Sequence, residues 1–344
     1  MHQDELARAQ ELLGIVTGSW MAQAARVAAE LDLADLLADG PRTAADLATA
    51  TGAHEPSLRR LLRALVTIGV CTELDGDRFA VTPTGRLLGS GAEGSVRSWT
   101  IYWGRYLWDE WAQLLHSVTT GRGGREVVTG AAHFEGLGDD PERAAVFNAA
   151  MADMTRLSSR SIVTGYDFSR FARVVDVGGG YGELIGAVLA AAPAATGVLF
   201  DLPHALADAR AHLDKAGVGD RCEVVAGSFF ERVPAGADAY VLKNVLHDWD
   251  DADSGRILAT CRAAMAPGSR LLVVERLMPE RMEPVESHRS FARSDLTMMV
   301  AHAAQERTLA DFDRLLRAAG LRVDAVTELP TGLHIVEAGV AAGS

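Results

Sequence analysis

Between residues 12 and 37 apolar side chains recur at helical spacing, from Val16, Met21, Ala24 and Ala28 to Leu31, Leu33, Leu36 and Leu37, and Asp39-Gly40-Pro41 ends the run with turn chemistry. A short helix is predicted over 43–51 with Thr43 as its cap. Gly52 turns the chain, and Pro56 opens a helix whose apolar face carries Leu58, Leu61, Leu62, Leu65 and Ile68 before Gly69 stops it. Residues 70–74 and 78–81, joined by Asp75-Gly76-Asp77, read as a hairpin and complete a winged helix-turn-helix outline. Further on, 102–118 is predicted as one helix burying the rings of Trp103, Tyr106, Trp108 and Trp111, 121–130 as a flexible glycine-rich loop, and 141–160 as a long helix.

From Phe171 the pattern alternates between strands and helices. Strands are predicted at 174–177, 198–202, 223–226, 239–244, 270–276, 322–328 and 333–338. Helix-length segments separate the first five, which implies right-handed crossovers and a parallel sheet. Only Leu329, Pro330, Thr331 and Gly332 join the last two, a hairpin connection that forces them antiparallel. The expected class is α/β, a doubly wound Rossmann-like sheet behind a mainly helical front, with the boundary near residue 160.

Composition narrows the function. Of 344 residues 48% are hydrophobic and 23% charged, as in an ordinary folded chain. The net charge of -13 repels polyanions, and the winged module adds only six arginines against five acids, so nucleic acid is not an expected partner. Cys71, Cys222 and Cys261 lack metal or redox spacing and fit buried thiols in a reducing compartment. No apolar leader opens the chain and no run of about 20 apolar residues offers a membrane span, so a cytoplasmic location is expected.

Candidate chemistry begins where Val174-Val175-Asp176-Val177 runs into Gly178-Gly179-Gly180-Tyr181-Gly182 and a helix from Glu183. A strand, a glycine turn and a helix start bring backbone close to a nucleotide-like ligand at the carboxyl edge of a sheet. The sixth position of the dinucleotide fingerprint is Glu183, whose carboxylate would face a pyrophosphate, so a diphosphate cofactor is disfavoured. Asp201, closing the second strand, suits two ribose hydroxyls.

Taken together, VVDVGGGYG (174–182), FDLP (200–203), GSFF (227–230), LKNVLHDWDD (242–251), VVERLMP (273–279) and ERTLADFDRLLRAAG (306–320), behind FNAAM (147–151) and the winged front, resemble the S-adenosylmethionine-dependent small-molecule O-methyltransferase family. That family includes plant caffeate and flavonoid enzymes and bacterial tailoring enzymes of polyketide and antibiotic pathways. The resemblance covers nearly the whole chain. It implies a winged-helix-like dimerisation domain over 1–100, connecting helices contributing to the substrate pocket over 101–160, a seven-stranded methyltransferase domain over 161–344, and a homodimer.

For the cofactor, S-adenosyl-L-methionine with S-adenosyl-L-homocysteine as its product, the resemblance places Gly178 with its neighbours Asp176 and Gly180 at the methionine end, and Asp201 and Leu202 at the ribose. Ser228 and Phe229 fall at the adenine, Lys243 and Trp249 along the purine side, and Thr155 near the amino-acid carboxylate. Many members have aspartate where Ser228 stands, which leaves a hydroxyl or backbone to hold the adenine amino group. Phe147, Met151, Met298 and Met299 match acceptor-pocket positions, and Asp248 is counted with them. His302 is either a pocket polar group or a loop histidine, and alanines stand at 303 and 304 where relatives often pair glycines.

His247 lies just past the fourth predicted strand, where a substrate hydroxyl would wait, and a neutral imidazole can take its proton. The gap of ~3.5 units between phenol and imidazole makes full prior deprotonation cost ~5 kcal/mol, so proton loss accompanies attack or the site closes the gap. The resemblance assigns Glu275 and Glu306 to flank and orient this ring. No metal is expected, because a thioether leaves a sulfonium already neutral. The acids Asp248, Asp250, Asp251 and Asp253 read as a capped helix start rather than a cation loop.

The expected function is therefore methyl transfer to a phenolic or enolic hydroxyl of an aromatic, polyketide-type natural product. Two alternatives stay open: a non-methylating reaction on the same fold and cofactor, and a winged-helix ligand-sensing regulator.

Overall fold

The computed structural model describes residues 3–134 and 136–341, which divide into two compact units, Met1–Trp108 and Asp109–Ser344. The stretch 101–160 falls on both sides of that division. Among the described residues no helix is long and apolar enough to cross a membrane.

The first unit opens with α1 (Gln3–Glu30), which leaves Leu12, Leu13, Ile15, Val16 and Trp20 exposed. Asp32 takes a left-handed φ of 52° and restarts the chain as a single helical turn, Leu33–Leu36. Helix α2 (Ala44–Thr51) begins in a reciprocal cap: the Thr43 hydroxyl accepts from the Asp46 amide and the Asp46 carboxylate accepts from Thr43. Helix α3 (Glu55–Thr67) carries Pro56 in its first turn and buries Leu58, Leu62 and Leu65, whereas Ile68 stays outside. The hairpin, β2 (Cys71–Leu74) and β3 (Arg78–Val81), gains a third strand, β1 (Arg42–Thr43), in the order β1-β3-β2.

Two predicted segments differ. The single helix expected over 102–118 is divided into Arg97–Tyr102, a π-helical turn at Trp103–Leu107, Trp108–Trp111 and Leu114–Thr120. Gly104 lies so close to α1 that a Cβ there would sit 2.4 Å from Arg26 Cδ, and the wide turn falls at this approach. The loop expected over 121–130 instead holds a short helix, α4 (Gly124–Thr129). Its glycines work as ends rather than as slack: Gly123 is the N-cap and Gly130 closes the C-terminus at φ 76°. Arg125 fastens it by donating to buried Glu110 at 3.1 Å, a contact no local pattern reveals.

In the second unit α5 (Pro141–Gly165), N-capped by Asp140, leads into the sheet. Its strands are β4 (Arg173–Val177), β5 (Thr196–Asp201), β6 (Cys222–Ala226), β7 (Ala239–Lys243), β8 (Arg270–Arg276), β9 (Leu321–Glu328) and β10 (Leu333–Val340), in the order β6-β5-β4-β7-β8-β10-β9. The first five are parallel; β10 inserts antiparallel between β8 and β9.

Helices cover both faces, so the inner strands read as unbroken apolar runs. Val174, Val241, Leu272 and Val274 pack with α6 (Glu183–Ala191) and α7 (Ala209–Lys215) on one side. Val175, Tyr240, Leu242 and Val273 pack with α8 (Asp251–Ala264) and α10 (Leu309–Ala318) on the other. Between β8 and α10 runs α9 (Glu286–His302), ended by Ala303 at φ 53°.

Candidate active site

The glycine turn after β4 is built by close contact. Gly178, at φ 75°, donates to the Phe200 carbonyl at 2.8 Å, and a Cβ on Gly179 would lie 2.5 Å from Leu199 Cδ1 and 2.7 Å from the Asp176 carboxylate. Gly180, at φ 57°, has open space where its Cβ would stand. Its amide and that of Leu202 donate to the two oxygens of Asp201, at 2.8 and 2.6 Å. Asp176 accepts from the Ile185 amide at 3.2 Å. Glu183 is held by Arg156 and His212.

The electrostatics of this cradle suit a cation. Burial raises the Asp176 carboxyl to about 7 and pushes Asp201 above its ordinary value, a charge imbalance that a bound sulfonium and ammonium would relieve. The residues present therefore fit S-adenosylmethionine. Lys243 donates from Nζ to the Thr155 hydroxyl at 3.0 Å, which joins a residue expected along the purine to one expected near the carboxylate; burial lowers its pKa to about 8. The Phe229 ring lies edge-on to Trp249 at 5.9 Å, and Ser228 Oγ accepts from the Phe230 amide at 3.2 Å.

His247 stands in a single 3-10 turn, Leu246–Asp248, just after β7. The neighbouring strand fixes this turn: Glu275, fully buried in β8, accepts from the amides of Val245 and Leu246 through Oε1, both at 3.0 Å. Its Oε2 has no hydrogen-bond partner among the described residues and lies 3.5 Å from His247 Nδ1. The same nitrogen donates to Glu306 Oε1 at 3.1 Å, and Ser294 Oγ donates to that oxygen at 2.6 Å. Asp295 accepts from the Glu306 amide, so α9 holds the second carboxylate in place. On the opposite edge of the ring, Nε2 lies 3.6 Å from Asp248 Oδ1. Val245, two residues before the imidazole, touches the glycine turn: a Cβ on Gly178 would be 3.0 Å from Val245 Cγ2.

Burial alone would lower the His247 pKa, but Glu275, Glu306 and Asp248 outweigh it and raise it to about 10. The surroundings thus favour the imidazolium, and its pKa reaches that of an ordinary phenol, the second of the two routes expected above. Glu275 is itself raised to about 7 by burial, whereas for Glu306 burial is overcome by His247, and its pKa is lowered. His247, Glu275 and Glu306 each offer a donor atom within 4.8 Å of the others, a set that could also grip a metal ion; here the Nδ1 proton already bridges to Glu306.

Most of the residues expected at the acceptor lie on two helices. Phe147, Met151 and Thr155 recur at four-residue steps along α5, and Met298, Met299 and His302 share the last turns of α9. Phe147 packs on Phe134 at 5.7 Å, Phe134 on His302 at 4.8 Å, and His133 stacks on Trp249 at 4.6 Å. His133, Phe134, Arg125, Ser294 and Asp295 went unselected in the sequence. His133 and Phe134 offered no periodic signal, and Arg125 sat inside the apparent loop. Arg307, also missed, stood next to a motif glutamate: its guanidinium, almost fully buried, donates to the carbonyls of Leu246 and Trp249 at 2.6 and 2.7 Å and to Asp251.

Comparison with known proteins agrees with this fold. A family model described as the O-methyltransferase domain matches residues 111–322, and one described as the O-methyltransferase dimerisation domain matches 13–91. The chain is similar to a phenazine O-methyltransferase of Lysobacter antibioticus, 44% identical over 328 residues that cover 95% of each chain. It is also similar to a mitomycin biosynthesis 6-O-methyltransferase of Streptomyces lavendulae, 42% identical and covering 96% of this chain and 95% of the relative. Among solved structures it resembles an O-methyltransferase from neocarzinostatin biosynthesis in complex with S-adenosylmethionine and 2-hydroxy-5-methyl naphthoic acid. The TM-score is 0.78 and the identity 36%, over 93% of this chain and 95% of that one.

Proposed function

The chain belongs to the O-methyltransferase family, and from that premise we propose that it methylates a phenolic or enolic hydroxyl of an aromatic natural product, with His247 as general base. The observation that supports this most is the imidazole at the carboxyl end of β7, with Nδ1 bound to Glu306 and Nε2 on the opposite edge of the ring. S-adenosylmethionine, when bound, supplies an electrophilic methyl on a sulfonium.

The chain's own residues do the rest. Asp176, Gly180, Asp201 and Leu202 hold and orient that donor. Phe147, Met151, Met298 and Met299 place the flat acceptor, and such alignment can contribute up to about 7 to 11 kcal/mol. Nε2 receives the hydroxyl proton as oxygen attacks. Glu275 and Glu306 stabilise the imidazolium that results, and the Glu306 hydrogen bond keeps the tautomer that leaves Nε2 open. Arg307 and Glu275 act as positioning residues for the His247 turn.

The direct test incubates the purified chain with methyl-labelled S-adenosylmethionine and a panel of hydroxyaromatic acceptors. Label in the acceptor, matched by released S-adenosylhomocysteine, is the expected result; calorimetric binding of S-adenosylhomocysteine without transfer to any hydroxyl would overturn the activity.

The proposal extends to assembly and location: a homodimer in the cytoplasm, joined through the first unit. From Leu13 on, the apolar row on α1 lies within the matched dimerisation domain and suits a second copy of this chain. Because Ile15 and Trp20 are exposed, changing both to aspartate should leave the folded chain intact while lowering its light-scattering mass from twice the chain mass to one. An unchanged mass would place the interface elsewhere.

A further inference from the structure

Arg125 and Glu110 form a buried ionic pair that takes no part in the methyl or proton transfer proposed above. Glu110 is fully buried, and Arg125 donates from Nε to both of its carboxylate oxygens, at 3.1 and 3.2 Å. The same carboxylate accepts from Arg143 at 2.6 Å, in the first turn of α5, the helix that also carries Phe147 and Met151. Buried ions of this kind add little stability over apolar groups of the same volume, so what they contribute here is direction.

The other arm of the guanidinium shows where that direction leads. Arg125 Nη1 donates to the His133 carbonyl at 2.9 Å. His133 has a φ of 46°, in the left-handed region that a residue with a Cβ adopts only at a cost, so its backbone needs a tie from outside to persist. The rings on either side of this tie face both halves of the site. His133 stacks on Trp249, the residue expected along the purine, at 4.6 Å and 21°. Phe134 packs on Phe147, expected at the acceptor, at 5.7 Å. Both residues are only half-buried, so their rings keep surface to offer.

We propose that Arg125 is a positioning residue for acceptor binding: anchored on Glu110, it holds the His133 backbone so that the Phe134 ring stands beside Phe147 as a wall for a flat aromatic acceptor. The inference rests on the methyl-transfer reading above. A cation that acts through a neighbouring ring must show its effect as coupling with that ring, which loss of stability alone does not produce.

The test is a double-mutant cycle on the full-length protein, read as kcat and KM for the fastest acceptor of the hydroxyaromatic panel. Arg125→Met should raise the acceptor KM about tenfold while kcat stays within about threefold, because the base and its two glutamates are untouched. Phe134→Ala should do the same, and the double variant should be no worse than either single one. Arg125→Met combined with Glu110→Gln removes the buried carboxylate charge together with its partner; it should show the same rise and serves where Arg125→Met alone does not fold. A lower melting temperature with an unchanged KM in the folded variants would make Arg125 a structural residue and overturn the inference while methyl transfer stands. Effects of Arg125→Met and Phe134→Ala that multiply in the double variant would overturn it as well. Binding of S-adenosylhomocysteine with no transfer to any acceptor overturns both readings.

Discussion

His247→Ala should lower kcat about 10²- to 10⁴-fold, the usual contribution of a positioned general base, with calorimetric affinity for S-adenosylhomocysteine as the control that the fold survives. Because three carboxylates keep the ring protonated up to about 10, kcat/KM of the unsubstituted protein should rise with pH through the range 7 to 9, as more unprotonated Nε2 becomes available. Of the groups that raise this pKa, Glu275 acts most strongly. Removing its charge in Glu275→Gln must therefore move the profile to lower pH. The plateau should fall as well, since a less basic imidazole takes a phenol proton less readily. A profile that stays where it was would mean that Glu275 serves the backbone alone.

The second large effect concerns Arg307→Met, which keeps most of the aliphatic volume and removes the guanidinium. Two carbonyls of the base-bearing turn, Leu246 and Trp249, lose their shortest donor and keep only contacts of 3.3 Å, from Ser254 Oγ to both and from the Trp249 amide to Leu246, and Asp251 loses one of its arginine partners. Asp251 is part-exposed and stays paired with Arg314, so the loss is mainly that of charge-assisted hydrogen bonds to the turn, about 1.5 to 3 kcal/mol, which for a unit of this size lowers Tm by roughly 5 to 10 °C. Arg307→Lys should recover only part, because one ammonium cannot span three acceptors as a planar fork does. Thermal unfolding of the two variants provides the measurement; a melting temperature for Arg307→Met close to that of the unsubstituted chain would show that the turn is held by Glu275 without help.

Arg307 also illustrates what the sequence could and could not convey. The strands were legible because burial on both faces of a parallel sheet makes each one an apolar run, and all seven fall within two residues of their predicted ends. The glycine turn, Asp201 and His247 were legible because each sits at the carboxyl end of such a run. Contacts between distant segments left no local trace. Nothing near Arg125 announces Glu110, fifteen residues away, so a six-residue helix read as a loop. Nothing near Arg307 announces the carbonyl of Leu246, 61 residues earlier. The shift of His247 left no local trace for the same reason: the strongest of the groups that raise its pKa stands on a strand beginning more than twenty residues later.

The base proposed for the reaction hangs from the carboxyl edge of the sheet, with Glu275 in β8 bonded directly to the turn that bears His247. Asp248 apart, the side chains assigned to the acceptor belong to α5 and α9, neither of which contributes a strand to that sheet. Such a division makes the scaffold a candidate for retargeting: a combinatorial library restricted to Phe147, Met151, Met298 and Met299 could exchange one scaffold of ring for another while the chemistry behind it is inherited unchanged.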